Sequence, residues 1–302
     1  LHTAYRRQRQ MCIRDRYATM TSRRLLLLLD WDGTITQHDT LNLIAPALNE
    51  VKSDSPDFSV YQDEYMRDYT EFKTMFGQIT NKEQMYDYLR SIRKVEERSL
   101  NRINCLFEGT NDAQRRSRIG KICYRKGWEV MQYWMAQRVA SHTLAAYIVS
   151  VNWSRTFISD ALKACAEQNG VEQVISYVYA NELVTKPGSD ECTGLIQGPG
   201  QRERILTGPD KVKMCEAIAS KSAYDTSVYV GDSTTDIPCL LWADMGILIG
   251  SGDQVRDMLH QAGMDSILHT IDSWKQLDVM QQRASIVCAS DWYAVCDLLQ
   301  LQ

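Results

Sequence analysis

The sequence predicts an α/β protein in which helices cover a parallel sheet and an all-helical segment is inserted after the first strand. Residues 25–29 are five consecutive leucines, and so continuous an apolar run is typical of a strand buried on both faces. The pattern from 41 to 140 has helical periodicity, whereas strand-like and helix-like stretches alternate from 145 onward. Such alternation is typical of a parallel sheet under helices.

The first strand leads directly into two acids, in the stretch RRLLLLLDWDGTIT. A membrane span would need roughly 20 apolar residues, and a signal peptide would lead into small residues instead of Asp-Trp-Asp-Gly. Parallel sheets bind ligands beyond the carboxyl ends of their strands, which is where Asp30 and Asp32 are expected. An ordinary Asp-Gly turn is the alternative interpretation.

Length and composition indicate a globular protein of one large or two moderate domains. The chain has 302 residues, of which 44% are hydrophobic and 24% charged. A net charge of −4 gives no reason to expect nucleic acid as a partner, and no membrane partner is expected. The nine cysteines form no CxxC pair, so reduced thiols in the cytoplasm are expected. Oligomeric state is not predicted.

The first 19 residues differ from the rest. They carry five arginines and one aspartate, and excluding them changes the net charge from −4 to −8. An arginine-rich, acid-poor start is typical of a mitochondrial transit peptide. The stretch MCIRDR also resembles a translated sequencing-adapter fragment, and this interpretation is favoured, with Met20 as the natural start. Residues 1–19 are therefore expected to be a non-native or disordered extension.

The remaining chain divides into a core of residues 20–40 and 141–302 and a helical cap of residues 41–140. In the cap, aromatic residues recur at helical spacing and are expected to pack between helices: Tyr61, Tyr65, Tyr69, Phe72 and Phe76. In the core, AAYIVSVN predicts a strand, and SRTFISDALKACAEQNG a helix that ends at Gly170. The stretch VISYVYANELV predicts one strand, and CTGLIQG a hairpin arm.

Four chemically suggestive elements lie at strand ends or helix starts of this core. Asp30 to Thr34 follow the first strand, and Ser150 ends the strand YIVS. Lys211 lies at the start of a helix after TGPD, and Gly231 to Asp236 follow the strand VYV. Each element alone is weak evidence, but together and in this order they are specific.

This set resembles the haloacid-dehalogenase-like superfamily of phosphohydrolases over roughly residues 24–253. The family motifs are DxDxT, a strand-ending Ser or Thr, a Lys, and GDxxxD. The resemblance implies a Rossmann-like core with an inserted cap, and a Mg²⁺-dependent phosphatase. Asp32 argues against the dehalogenase branch, whose members lack this second aspartate.

The resemblance also implies a role for each motif residue. Asp30 would be the nucleophile that forms an aspartyl-phosphate, and Asp32 the general acid and base. The phosphate would be bound by Thr34, Ser150, Val151 and Lys211. The Mg²⁺ ligands would be Asp30, the backbone carbonyl of Asp32, and Asp232. Gly33, Gly231 and Asp236 would support the site.

The cap lies where superfamily caps close over small molecules, so a small phosphate ester is the expected substrate. The stretch from Val228 to Gly252 is similar to the domain fused to thiaminase-II-type plant proteins, which acts on thiamin monophosphate, and related fungal proteins share SVNWS-like second motifs. Trp153 could stack on such a heterocycle or pack under the cap. YANEL is similar to phosphoserine-phosphatase-like members, but these carry Ser-Gly-Gly where this chain has Ser150-Val151-Asn152.

Several alternatives stay open at this point. A phosphoserine phosphatase-like or nucleotidase activity would use the same residues. A phosphotransferase would pass the phosphoryl group to an acceptor other than water, and a non-catalytic protein would bind phosphate esters without turnover.

Overall fold

A seven-stranded parallel sheet forms the centre of the protein. The computed structural model describes residues 23–49 and 56–300, so the expected extension at 1–19 lies outside the described residues. The strands are β1 (Leu25–Leu29), β2 (Leu144–Val149), β3 (Ile175–Tyr179), β4 (Glu182–Thr185), β5 (Cys192–Gln197), β6 (Thr226–Gly231), β7 (Met245–Ile249), β8 (Leu268–Thr270) and β9 (Ile286–Ala289). The central sheet has the strand order β3-β2-β1-β6-β7-β9-β8, and β4 and β5 form a separate antiparallel pair.

Helices fill the connections between the strands. The helices are α1 (Leu41–Asn49), α2 (Phe58–Phe76), α3 (Lys82–Ser91), α4 (Arg93–Phe107), α5 (Asp112–Arg116), α6 (Trp128–Ala140), α7 (Arg155–Asn169), α8 (Gly208–Ala219), α9 (Ile237–Trp242), α10 (Asp253–Gln261), α11 (Ile271–Trp274), α12 (Val279–Arg283) and α13 (Trp292–Gln300). Helix α7 ends as predicted at Gly170, which is left-handed with φ 64°. None of the described helices is long and apolar enough to cross a lipid bilayer.

Strand β1 lies between β2 and β6 and is buried on both faces, which confirms the interpretation of the leucine run. Leu25, Leu27 and Leu29 belong to the apolar cluster on one face of the sheet. Leu26 and Leu28 belong to the cluster on the other face. Alternate side chains of a strand point to opposite faces, so every leucine of the run is used in the core.

The helices α1 to α5 are inserted between β1 and β2 and form the helical cap. A third apolar cluster joins α1 and α4 to β4, β5 and α7. Helix α6 behaves differently, because its Trp128, Met131 and Met135 belong to a cluster of the central sheet. The division of the chain at residue 140 stays a prediction, and this packing favours a boundary before α6.

The expectation of one continuous strand over 174–184 was wrong. The chain leaves the central sheet after β3, and β4 pairs with β5 instead. At the break, Asn181 Nδ2 donates to the carbonyls of Val151 (3.0 Å) and Ile205 (2.8 Å), and Asn181 Oδ1 accepts from the N–H of Ile205 (2.9 Å). One buried asparagine therefore holds three segments together, which an apolar pattern does not reveal.

Candidate active site

The carboxyl ends of β1, β2 and β6 meet at one edge of the sheet, which we call the catalytic edge. Leu29 of β1 lies opposite Ile148 of β2 and Val230 of β6. Asp30 follows Leu29 directly, and its N–H donates to the carbonyl of Val230 (3.0 Å). Ser150 and Asp232 follow two residues after Ile148 and Val230, so strand register alone brings three of the four predicted elements together.

Helix α8 supplies the fourth element, Lys211, which is fully buried. Lys211 Nζ lies 2.9 Å from Asp30 Oδ1 and 2.7 Å from Asp236 Oδ1. The contact with Asp30 is an ion pair without hydrogen-bond alignment, because Asp30 Oδ1 has no hydrogen-bond partner among the described residues. A buried ammonium requires such paired charges, so Lys211 is fixed between the two carboxylates.

Asp236 is the anchor of this arrangement. Its Oδ1 accepts from Lys211 Nζ and from the Tyr229 hydroxyl, both at 2.7 Å. Its Oδ2 accepts from the N–H groups of Asp232 (3.1 Å) and Ser233 (3.0 Å) and from the Ser233 hydroxyl (2.9 Å). Five donors saturate both oxygens, so Asp236 fixes Lys211 relative to the backbone of Asp232 and Ser233.

The electrostatics of the edge follow from burial and crowding of acids. Burial and then the charge of Asp236 raise the pKa of Asp30 well above its usual value, and the same two causes raise the pKa of Asp232 to about 6. Burial alone would raise the pKa of Asp236, but the charge and hydrogen bond of Lys211 outweigh it and lower that pKa. Burial likewise would lower the pKa of Lys211, but Asp236 and Asp30 raise it. The edge therefore holds more negative charge than Lys211 alone neutralises.

Asp32 is held on the cavity side of the edge by two neighbours that the motifs did not indicate. Its Oδ1 accepts from the N–H (2.7 Å) and hydroxyl (2.6 Å) of Thr40, and its Oδ2 accepts from Asn152 Nδ2 (2.8 Å). The Thr40 hydroxyl also accepts from the Trp31 indole (3.0 Å). Burial raises the pKa of Asp32, and the hydrogen bonds from Asn152 and Thr40 oppose that rise. Asp32 is thus oriented with both oxygens engaged.

The two predicted glycines and Thr34 support Asp232 and Asp236. Gly33 has φ +71°, and a Cβ at this position would overlap the Asp232 carboxylate. A Cβ at Gly231 would likewise overlap the Asp236 carboxylate. The Thr34 hydroxyl donates to Asp232 Oδ1 (2.7 Å), so it orients that carboxylate. Both glycines are needed because carboxylates lie where their side chains would be.

Two distant side chains fix the backbone between Asp30 and Thr36. Arg125 donates to the carbonyl of Gly33 through Nε (3.1 Å) and Nη2. The Trp292 indole of α13 donates to the carbonyl of Thr34 (3.0 Å). Neither residue belongs to a motif, and no sequence signal pointed to them.

The residues of the edge fit a divalent cation. One carboxylate oxygen each from Asp30, Asp232 and Asp236 lie within 4.8 Å of one another. Since protein donors saturate Asp236, the oxygens that remain for a cation belong to Asp30 and Asp232. Hard oxygen donors of this kind suit Mg²⁺, which usually takes one or two carboxylates and keeps several waters. The lack of an aligned hydrogen bond to Asp30 Oδ1 and the excess negative charge are both consistent with such an ion.

A cavity of about 650 Å³ opens between the catalytic edge and the cap. Its floor includes Asp30, Asp32, Ser150, Val151 and Asp232. The opposite side, which we call the cap wall, is formed by side chains of α2 and α4: Phe58, Tyr61, Gln62, Tyr65, Met66, Glu96, Ser99, Leu100 and Ile103. This volume is ordinary for a small-molecule site.

The predicted phosphate-binding residues fall into two groups, those that line the cavity and those that lie behind it. Ser150 and Val151 line the cavity, and the Ser150 oxygen accepts from the N–H of Asn152 (3.1 Å), which leaves its own hydrogen to donate. Lys211 and Thr34 lie behind Asp30 and Asp232 and are not among the described residues that line the cavity. Trp153 lines the cavity and packs edge-on against Phe107, with ring centroids 5.6 Å apart.

The aromatic stripe of the cap has two roles instead of one. Phe72 and Phe76 pack against Tyr88, with ring centroids 5.1 Å apart in each pair, as expected for helix packing. Tyr61 and Tyr65 instead line the cavity. Helical spacing predicts which residues share a face, but not which part of that face another element covers.

Comparison with known proteins gives two fungal relatives. A CTO1 family protein of Schizosaccharomyces pombe is 26% identical over 277 residues, covering 90% of this chain and 98% of that protein. Cold tolerance protein 1 of Saccharomyces cerevisiae is 33% identical over 103 residues, covering 32% of this chain and 30% of that protein.

Solved structures share the fold at low sequence identity. A phospho-aspartyl intermediate analogue of phosphoserine phosphatase superposes with a TM-score of 0.51 at 17% identity, covering 91% of this chain and 98% of that chain. A HAD family hydrolase of Salmonella enterica serovar Typhi superposes with a TM-score of 0.50 at 14% identity, covering 77% of this chain and 65% of that chain.

A family model for haloacid dehalogenase-like hydrolases matches residues 27–241, more than two thirds of the chain. The match spans the catalytic edge, the cap and Lys211. The parallel sheet, the inserted helical cap and this match agree, and the chain belongs to the haloacid dehalogenase-like hydrolases.

Proposed function

We propose that this protein is a Mg²⁺-dependent phosphomonoesterase that acts on a small molecule through an aspartyl-phosphate on Asp30. The observation that carries the proposal is the fully buried Lys211, fixed between Asp30 and Asp236 beside Asp232. An ammonium beside Asp30, together with carboxylates that would hold a divalent cation, suits the binding of a phosphoryl dianion, for which catalysis depends on position and charge.

The cation would be held by Asp30, Asp232 and the backbone carbonyl of Asp32. When bound, it would supply positive charge that offsets the repulsion between the carboxylates and the phosphoryl oxygens. Lys211 adds a fixed cation behind Asp30, and the Ser150 hydroxyl is placed to donate to a phosphoryl oxygen. Both groups are set by the fold before substrate arrives.

Hydrolysis then needs two displacements. In the first, a carboxylate oxygen of Asp30 forms a bond to phosphorus while the bond to the leaving oxygen breaks, and Asp32 gives its proton to that oxygen. In the second, Asp32 takes a proton from water, the water oxygen bonds to phosphorus, and the Asp30–phosphorus bond breaks to release phosphate. Thr40 and Asn152 hold Asp32 in position for both transfers.

The cavity supports a small substrate. Its volume of about 650 Å³ admits a drug-sized molecule but not a folded protein surface. Thiamin monophosphate or a similar heterocyclic monophosphate is our proposed substrate, because Trp153 and the aromatic cap wall suit a flat ring. A phosphoserine phosphatase-like or nucleotidase activity is the alternative. The cytoplasmic setting expected from the cysteines remains part of this proposal.

Turnover of p-nitrophenyl phosphate tests the reaction. We expect activity that EDTA abolishes and Mg²⁺ restores, and that Asp30→Asn lowers by at least about a thousand-fold. Asp272→Asn, an exposed acid on α11, is the matched control and should retain activity. Persistent turnover by Asp30→Asn would show that hydrolysis does not require an aspartyl-phosphate on Asp30.

A panel of phosphorylated metabolites separates the alternatives. It should contain thiamin monophosphate, phosphoserine and pyrimidine nucleotides. Binding without metal-dependent turnover of any ester would indicate a non-catalytic phospholigand-binding protein. Transfer to added alcohols at the expense of phosphate release would indicate a phosphotransferase.

A further inference from the structure

Glu96 is the acidic residue of the cap wall. Its Oε1 accepts from the Tyr65 hydroxyl (2.8 Å). Within residues 23–49 and 56–300, no lysine or arginine forms an ion pair with it. Its neighbour Glu97 pairs with Arg93 at 3.0 Å. Glu96 therefore faces the cavity with an uncompensated charge.

The rest of the cavity surface, as far as the structure describes it, carries no lysine or arginine that would neutralise Glu96, and His38 is its one histidine. Asp39, two residues before α1, adds a second carboxylate to the same surface. A carboxylate of a bound molecule would find no lysine or arginine among these described residues, whereas a cation would be attracted.

Aromatic and apolar side chains surround Glu96 on the cap wall. Tyr61, Tyr65 and Leu100 line the cavity beside it. Aromatic faces attract cations, and a flat apolar group gains contact area on them. Burial raises the pKa of Glu96 to about 7, and a cation beside it would lower that pKa again.

We propose that Glu96 is the specificity residue of the cap and selects phosphate esters whose organic part is cationic and free of further anionic groups. This rests on the proposed phosphatase function. The phosphate binds at the catalytic edge, and the organic part extends to the cap wall with its positive group beside Glu96. Esters that carry a carboxylate, as phosphoserine does, are disfavoured because no described lining residue offers a cation to pair with it.

Three phenyl phosphates whose para substituents differ chiefly in charge test this. They are 4-(aminomethyl)phenyl phosphate, a cation; 4-methylphenyl phosphate, neutral; and 4-(carboxymethyl)phenyl phosphate, an anion. At about pH 8 we expect kcat/KM to fall in that order, by roughly ten-fold at each step, the size of a partly screened charge interaction over a few ångströms.

The variant Glu96→Gln keeps the shape and the acceptor for Tyr65 but removes the charge. It should lower kcat/KM for the cationic ester by roughly ten-fold, leave the neutral ester within about two-fold, and raise the rate with the anionic ester. Glu97→Gln, one residue along the same helix, is the control and should leave the order unchanged.

The outcomes distinguish this inference from the function on which it rests. Equal rates for the three esters in the unmodified protein, or a charge order that survives Glu96→Gln, would overturn the inference while the phosphatase stands. If the protein hydrolyses none of the esters with Mg²⁺, the phosphatase and the inference both fall.

Discussion

The catalytic edge and the cap wall face each other across one cavity, but they are built in opposite ways. At the edge, almost every polar atom has a protein partner, and Asp236 alone accepts from five donors. On the cap wall, Glu96 has a single hydrogen bond, from Tyr65. The edge is a fixed charge arrangement, whereas the wall leaves its charge for a ligand.

This difference indicates a division of labour between chemistry and selection. A saturated network holds its groups in one geometry, which suits a reaction that depends on position. An unsaturated wall suits discrimination, because a ligand that supplies the missing partner gains the most. Substitutions on the two sides should therefore have different consequences.

Replacing Lys211 should damage the catalytic edge most. Lys211→Met leaves Asp30 and Asp236 buried without their shared cation, which should cost about 3–5 kcal/mol in the free energy of unfolding. It should also lower kcat by roughly a thousand-fold, as for loss of a group that stabilises transition-state charge. Chemical denaturation and steady-state kinetics measure both effects. Lys213→Met, exposed on the same helix, should change neither.

Removing the Thr40 hydroxyl should have a smaller effect on the rate, which acts through the position of Asp32. Thr40→Val keeps the shape but deletes one hydrogen bond to the carboxylate, which should lower kcat by roughly ten-fold with little change in KM. Thr40→Ser keeps the hydroxyl and should restore most of the rate. If valine and serine give the same kcat, then Thr40 does not position Asp32.

The charge preference of the cap wall should depend on pH. Burial raises the pKa of Glu96 to about 7, so the carboxylate is charged above that value and neutral below it. The ratio of kcat/KM for the cationic ester to that for the neutral ester should therefore rise by roughly ten-fold from about pH 6 to about pH 8. Using a ratio cancels the titration of the phosphate and of the catalytic edge.

Other titratable groups near Glu96 need a control. Tyr65 from α2 and Tyr88 from α3 face it, and burial raises the pKa values of both, so both stay neutral in this range. His38 and Asp39 also line the cavity, and burial raises the pKa of Asp39 to about 7. The rise of the ratio should vanish in Glu96→Gln; if it persists, a group other than Glu96 is responsible.

The smallest effect is expected where the cap joins the core. Arg93 Nη1 on α4 lies 2.7 Å and 2.8 Å from the two carboxylate oxygens of Asp210 on α8. Arg93→Met should lower the free energy of unfolding by about 1 kcal/mol, because the pair is partly exposed. Arg90→Met, whose pair with Asp87 is exposed, should cost less in the same denaturation experiment.

The sequence predicted the fold and the catalytic edge better than the cap wall, for a physical reason. Strand ends of a parallel sheet converge by register, so the order of Asp30, Ser150 and Asp232 along the chain already implies their meeting. Lys211 adds a motif at the start of a helix. The strand and helix patterns that place these residues are local, so the sequence alone indicates them.

Thr40, Asn152 and Arg125 were not predicted, because their roles depend on contacts between distant segments. Asn152 was noted only as a departure from Ser-Gly-Gly, yet its side chain donates to Asp32. The break between β3 and β4 was not predicted for the same reason, because it depends on hydrogen bonds from Asn181 to Val151 and Ile205. The sequence did not distinguish Glu96 from other helical acids, because an acid on a helix is usually solvated.

The two clamps on the loop after β1 have a consequence for how the site comes into being. Arg125 and Trp292 hold the carbonyls of Gly33 and Thr34 from positions 92 and 258 residues downstream. During synthesis Asp30 emerges early, but the loop that follows it gains its last restraint only when α13 docks. A nascent chain without α13 therefore carries every motif residue and still lacks a fully restrained loop after β1.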